Sequence, residues 1–159
     1  MHPLLIIDLQ KGFINQHTRH IPAKINELFD KYELIIATQF VNLPGSNFRK
    51  LLQWHDLSEG DASTEMAIDL HPHVVKIKKY GYSCINDDFM KLIREKGVDF
   101  IDICGLDTEG CVLKSAVDLF EIGITPRVLS DYCASSGGHD YHEAGIKVLK
   151  RLIGDKQVI

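Results

Sequence analysis

A cysteine close to the start of a helix is the first residue here that could do chemistry. Cys111 lies in Gly105-Leu106-Asp107-Thr108-Glu109-Gly110-Cys111-Val112, about one turn into a helical pattern that follows an apolar run. The partial positive charge and free N–H groups of a helix start favour a thiolate, drawing a thiol pKa from about 8.5 towards neutrality. The same N–H groups can hold the negative oxygen of a tetrahedral intermediate. Taken alone, the segment is better explained by a small buried residue, because free cysteine is among the most buried types. Asp8 ends the apolar run Leu4-Leu5-Ile6-Ile7, where a carboxylate is costly unless it is paired or hydrogen-bonded. Alone it reads as an acceptor for backbone N–H groups of the next turn. Lys79 belongs to Lys76-Ile77-Lys78-Lys79-Tyr80, where strand alternation sets Ile77 and Lys79 on the face opposite Lys76 and Lys78. Taken singly, it reads as a solvated side chain.

The surrounding elements must position these residues. Short apolar runs alternate with helix-length amphipathic stretches, the order that builds a parallel α/β sheet. Runs at 4–7, 34–38, 73–77, 100–104, 126–129 and 158–159 read as strands. A helix opens at Pro22 with Ile25, Leu28 and Phe29 on one face, and Ser46 caps a short helix carrying Phe48, Leu51, Leu52 and Trp54. Further helices run through Phe89 and Ile93 to Gly97, over 108–123, and over 142–153, while 55–72 has no clear period. Residues 1–159 are therefore expected to form a single domain, a doubly wound parallel α/β sheet of about six strands with helices on both faces. In such a sheet ligands bind beyond the carboxyl ends of the strands, near the reversal of strand order. That rule singles out Asp8 and Gln10, Thr38 and Gln39, Lys78 and Lys79, 105–111 and 131–136. Phe13, Gln39 and Tyr82 are the candidates to line a substrate pocket there. Phe40 is a further aromatic near it, and Trp54 reads as core or as an intersubunit contact.

Composition narrows the function classes. The 159 residues are 45% hydrophobic and 25% charged, the balance of an ordinary globular domain. A net charge of −4 argues against a nucleic-acid or membrane-surface protein. The longest apolar runs are too short for a transmembrane helix or a secretory leader. Cys84, Cys104, Cys111 and Cys133 contain no CxxC pair, so they read as free thiols in a reducing cytoplasm. A dinucleotide-binding module is excluded because no GxGxxG turn follows a strand.

Taken together, Ile7-Asp8-Leu9-Gln10-Lys11-Gly12-Phe13, Lys79-Tyr80-Gly81-Tyr82-Ser83 and Gly105–Val112 resemble, in order and spacing, the Asp…Lys…Cys motifs of the isochorismatase-like cysteine hydrolases. The stretch Leu129-Ser130-Asp131-Tyr132-Cys133-Ala134-Ser135-Ser136, followed by His142, is similar to the last βα unit of that family. The resemblance implies a parallel α/β fold and a hydrolase that cleaves a C–N bond in a small amide, ureido or carbamoyl compound through a thioester. It implies that Cys111 is the nucleophile, Asp8 the general base and Lys79 the orienting cation. It also implies a cis peptide between Leu106 and Asp107, an oxyanion hole from the N–H groups of Asp107 and Cys111, and a homo-oligomer, a dimer or tetramer. A second reading keeps the fold without hydrolysis, with Cys111 a redox-responsive thiol or the chain a silent binding subunit.

Two departures from the family shape these expectations. Its nicotinamidase branch carries an Asp-x-His metal motif after the second strand, where this chain has Thr38-Gln39-Phe40-Val41-Asn42-Leu43-Pro44, with no histidine or carboxylate. His71 and His73 flank Pro72 without a nearby carboxylate and read as surface residues. No catalytic metal and no cofactor are expected. The second departure is Asp107, whose carboxylate is expected to point outward and cap the helix of Cys111. Metal analysis of freshly purified protein is expected to find neither zinc nor iron at stoichiometric levels; either metal at one per chain would overturn this.

Overall fold

Four consecutive apolar residues with no polar alternation suit a strand covered on both faces. In a computed structural model, which describes residues 2–159, Leu4–Ile7 form such a strand, β1, with every side chain fully buried. It is the middle of a five-stranded sheet with β2 (Ile35–Phe40), β3 (Val75–Lys79), β4 (Phe100–Leu106) and β5 (Thr125–Ala134). The order is β3-β2-β1-β4-β5, and each neighbouring pair is parallel. Helices α1 (Ile21–Asn26), α2 (Asn47–Lys50), α3 (Asp87–Lys96), α4 (Leu113–Glu121) and α5 (His139–Ile153) flank it. The chain steps outward from β1 through β2 to β3, then returns to place β4 on the other side of β1. Strand order therefore reverses between β1 and β4, the place where such sheets bind ligands.

The sheet has five strands, not six. Val158 makes an isolated parallel bridge to Val128 after a 3-10 turn at Asp155–Gln157, and two residues are too few to extend the ladder. Other boundaries shift because tertiary pairing extends what local pattern marks. β3 starts two residues later than expected and ends on Lys79, and β5 runs on to Ala134 where a loop is expected. That extension follows a register break between Ile103 and Gly105, beyond which Gly105 pairs with Cys133 and Leu106 with Ala134. Ser46 caps α2 as expected, accepting from the Arg49 N–H, but α2 stops at Lys50 and Leu51, Leu52 and Trp54 lie beyond it. Gly97 ends α3 in the left-handed conformation. Residues 108–112 form a wide π turn before α4 begins.

Asp102, fully buried on β4, accepts two hydrogen bonds from Arg127 of β5 (2.6 and 2.8 Å) and one from the Tyr32 hydroxyl (2.6 Å). Its register partner on β1 is Leu4, so this cluster sits at the amino end of the sheet, away from the switch point. Among the described residues no helix is long and apolar enough to cross a membrane.

Gly105 is demanded by the approach of β4 to β1. Its φ is +117°, and a Cβ there would stand 2.1 Å from the Ile7 carbonyl oxygen. Gly105→Ala is expected to cost more than about 3 kcal/mol, read as a fall in the urea midpoint or as loss of soluble protein; an unchanged midpoint would refute the close approach.

Candidate active site

Asp8 follows β1 directly, with φ +45° and no exposed surface. Aspartate tolerates this left-handed conformation better than most residues. The Thr38 hydroxyl on β2 locks it from both sides, accepting from the Asp8 N–H (3.1 Å) and donating to Oδ1 (2.7 Å). The other carboxylate oxygen, Oδ2, lies 2.7 Å from Lys79 Nζ. Lys79 is 2% exposed, the opposite of the solvated side chain that its own segment suggested. Its ammonium donates to the Gly81 carbonyl (2.7 Å) and the Tyr82 carbonyl (3.1 Å), and it sits 5.4 Å from the Phe40 ring centre. Burial alone would lower the Lys79 pKa, but the charge of Asp8 outweighs it, and the net direction is up. This lysine stays an ammonium.

Cys111 is close enough to Asp8 and Lys79 for both charges to act on its thiol. One correction follows. The helix start was expected to favour a thiolate, whereas burial pushes the Cys111 pKa well above the ordinary thiol range and the Asp8 charge pushes it further. Lys79 opposes this without reversing it. The resting group is a thiol beside a carboxylate, since desolvation outweighs a partial helix charge. Cys111 also sits in the π turn, where the Gly110 and Val112 N–H groups both donate to the Asp107 carbonyl (3.1 Å each), rather than in a regular first turn.

The Leu106–Asp107 peptide is cis. The Asp107 side chain, expected to cap the helix of Cys111, makes no such bond. It accepts instead from the Ser136 N–H (2.7 Å) and the Ser136 hydroxyl (2.6 Å), tying the nucleophile turn to the loop after β5. Burial raises its pKa to about 6, although the Ser136 hydrogen bonds pull the other way.

A cavity of about 620 Å3 opens over Cys111. Phe40, Phe48, Trp54 and Tyr82, from the β2 and β3 side, line it together with Phe13, while Asp107, Glu109 and Ser136 line it from the β4 and β5 side. Phe13 and Tyr82 are thus where the sequence placed them. Gln39 is not: alternation along β2 turns Thr38 and Phe40 to the site and Gln39 away, and its buried amide donates to the Thr64 carbonyl (2.7 Å). Trp54, read as core or subunit contact, lines the cavity instead, its ring parallel to Phe40 with centres 5.7 Å apart. Glu109 and Ser136 fall in the stretches 105–111 and 131–136 that the strand-end rule singles out, whereas Phe48 was missed, because only folding of the segment after β2 brings it in.

The position of the nicotinamidase metal motif is filled by apolar and committed groups. The Phe40 ring packs against Trp54 and, edge-on, Phe48 (5.0 Å). The Asn42 amide donates to the Trp54 and Asp56 carbonyls (2.9 and 3.1 Å), and its oxygen accepts from the Ser46 hydroxyl (2.6 Å). His71 stacks on Phe29 (4.7 Å) and, with His73, precedes β3 at the amino end of the sheet. These residues do not fit a metal centre.

The isochorismatase domain family model matches residues 3–156, and the chain belongs to that family. The maleamate amidohydrolase of Pseudomonas putida is 28% identical to it over 110 residues, 67% of this chain and 51% of that protein, so the chain spans about half the length of that relative. An isochorismatase-like hydrolase from Alkaliphilus metalliredigens has a TM-score of 0.85 and 20% identity, covering 99% of this chain and 93% of that one. The pyrazinamidase of Pyrococcus horikoshii, solved in complex with zinc, has a TM-score of 0.81 and 23% identity, covering 99% and 96%. At such identities the structural likeness speaks for the fold.

Asp107 links the site to stability. Its pKa is 3.8 when solvated and about 6 when folded, so the folded state favours the protonated form. That contribution is complete below pH 3.8 and is lost as pH rises through about 6. Relative to Asp107→Asn, the wild type should lose about 3 kcal/mol between the two limits, measured by urea unfolding at several pH values; parallel pH profiles would contradict the burial of this carboxylate.

Proposed function

We propose that this chain is a cysteine-dependent hydrolase that cleaves the C–N bond of a small amide, ureido or carbamoyl compound through a thioester. The observation that carries this reading is a buried ion pair near the cysteine that lines the cavity: Lys79 Nζ lies 2.7 Å from Asp8 Oδ2, and both charges act on the Cys111 thiol. In this proposal Asp8 Oδ2 takes the thiol proton. It touches the ammonium yet receives no well-aligned hydrogen bond, which leaves a lone pair for that proton. The sulfur bonds to the carbonyl carbon, and the N–H groups of Asp107 and Cys111 hold the resulting oxyanion. Collapse breaks the C–N bond while Asp8 passes its proton to the leaving nitrogen, giving the thioester and a free amine. Water then adds to the thioester carbon as Asp8 takes one of its protons. Expulsion of the Cys111 sulfur, reprotonated by Asp8, releases the acid.

Because the thiol rests protonated, transfer to Asp8 has to accompany attack rather than precede it. Lys79 is paired with Asp8 and offsets the charge that grows on sulfur. A cavity of about 620 Å3 fits a small molecule. The family match over residues 3–156 supports residues 1–159 acting as one hydrolase domain. Four unpaired, buried cysteines support a cytoplasmic location, and the exposed Tyr141, Val148 and Leu152 along α5 support a homo-oligomer, dimer or tetramer.

The roles separate in two measurements. Asp8→Asn should lower the Cys111 thiol pKa, read from the pH dependence of alkylation, because a repelling charge is gone. It should nevertheless cut ammonia release from a small-amide panel by about 10³-fold, because the base is gone. Lys79→Ala should move the thiol pKa upward. If Asp8→Asn hydrolyses as fast as wild type, Asp8 is not the base; if no panel member releases ammonia from wild type, the silent or redox-responsive thiol protein is the better reading.

A further inference from the structure

The charges around the cavity are unevenly matched. Its charged lining consists of Asp107, Glu109 and Lys114. Lys114 is paired with Asp118 one turn along α4. Arg49, next to Phe48 in sequence, does not line the cavity; it donates to the Asn42 carbonyl (2.9 Å) and the Ser58 hydroxyl (2.6 Å), and its Nε has no partner among the described residues. Lys79 lies beneath the cavity, bound to Asp8 and two carbonyls. The carboxylates have hydroxyl and N–H partners but no cation: Asp107 is held by Ser136, and Glu109 Oε1 accepts from the Ser135 hydroxyl (2.7 Å). A bound carboxylate would meet two like charges, and among the described lining residues Lys114, already paired with Asp118, is the one cation.

Facing these carboxylates is a wall of aromatic rings. Phe48 packs edge-on against Phe40 and Tyr82, with centres 5.0 Å apart in each case. Trp54 touches Phe13, Phe40 and Phe48 at 5.7–6.0 Å. Ring faces attract cations through their quadrupoles, and several rings around one space are how proteins hold alkylated ammonium groups. A neutral apolar ligand would gain from the rings and nothing from the carboxylates, whereas a cation gains from both.

We propose that the compound bound here is a cationic amide, ureide or carbamoyl compound whose alkylated ammonium group sits between the Phe48–Trp54–Tyr82 wall and the carboxylates of Asp107 and Glu109. The hydrolysable part of this description rests on the cysteine-hydrolase reading above; the positive charge does not. Trp54 is the chain's only tryptophan, so its fluorescence reports binding without any turnover.

The test is a titration of Trp54 fluorescence at pH 8, where Asp107 is ionised, in a Cys111→Ala variant that cannot turn over. Three acyl amides are compared: trimethylammonioacetamide, its uncharged carbon isostere 3,3-dimethylbutanamide, and the anion succinamate. The cation is expected to bind about tenfold more tightly than the isostere, and succinamate weakest. Adding Glu109→Gln or Tyr82→Leu should narrow the gap between cation and isostere at least about threefold. Equal binding of cation and isostere, tightest binding of succinamate, no binding by any of the three, or a gap untouched by both substitutions would overturn the proposal. Ammonia release from the wild type is read separately. Cation binding with no release from any amide breaks the hydrolase reading and leaves the cationic site standing. Release from the neutral or anionic amide alone, without preference for the cation, does the reverse.

Discussion

The site depends on an ion pair that has almost no water around it. Asp8 is fully buried and Lys79 nearly so. Removing two such charges from water costs several kcal/mol each, and their mutual attraction offsets this only when the remaining polar atoms are satisfied as well. Here Thr38 serves Oδ1, and the carbonyls of Gly81 and Tyr82 serve the ammonium. Asp8 follows β1, Thr38 lies in β2, and Lys79 with its two carbonyl partners lies at or beyond the end of β3. The pair is therefore satisfied only when β1, β2 and β3 have docked in register, and it penalises any arrangement in which they have not. Gln10 strengthens the same junction: its amide donates to the Phe40 carbonyl and accepts from the Phe40 N–H, extending the ladder between the strand ends.

Cys111 is held from the opposite side. Thr108 Oγ1 and His142 Nδ1 are 2.7 Å apart, linking the π turn to α5, while Asp107 and Glu109 bind Ser136 and Ser135. Gly145 lets α5 approach closely, since a Cβ there would stand 2.8 Å from the Glu109 nitrogen. Cys111 is thereby fixed against Asp8 by elements far from it in sequence. The Asp8 charge, which the proposed reaction uses as its base, also favours the proton on sulfur, so in that reaction a fixed distance between them matters more than a low thiol pKa. Lys79 moderates this opposition by attracting both negative groups.

How much of this was legible depends on whether the cause was local. A carboxylate ending the run Leu4–Ile7 has to be paired or hydrogen-bonded, and Asp8 is, whereas Lys79, which its own segment marks as solvated, is buried because Asp8 and the carbonyls of Gly81 and Tyr82 hold it. The βα alternation gave the parallel sheet, and the break in strand order gave the end of it to examine. Asp107 illustrates the limit: a residue before a helix is a capping candidate by sequence, but Ser136, 29 residues away, offers it two donors. The thiol pKa of Cys111 was misjudged for the same reason, since burial is a tertiary quantity and the helix-start charge a local one. Gln39 was placed by its nearness to a strand end, which says nothing of which face it takes. The short run at 158–159 had a strand's composition without the length to hold a ladder.

The aromatic wall separates two tasks within one cavity. Asp8, Lys79 and Cys111 are set by the ends of β1, β3 and the turn after β4, where movement of any one leaves a buried charge unpaired. Phe48, Trp54 and Tyr82 come instead from segments beyond β2 and β3, and Tyr82 is 47% exposed. Their packing depends on ring contacts, which tolerate substitution far better than a buried ion pair does. The position where the nicotinamidase branch carries metal ligands is occupied here by Phe40 and an Asn42 whose hydrogen bonds shape the aromatic loop. In this chain that position contributes to the shape and polarity of the pocket. The shape of the pocket can therefore change through these loop residues while the geometry of Asp8, Lys79 and Cys111 stays fixed, because the interactions that hold the two share few side chains.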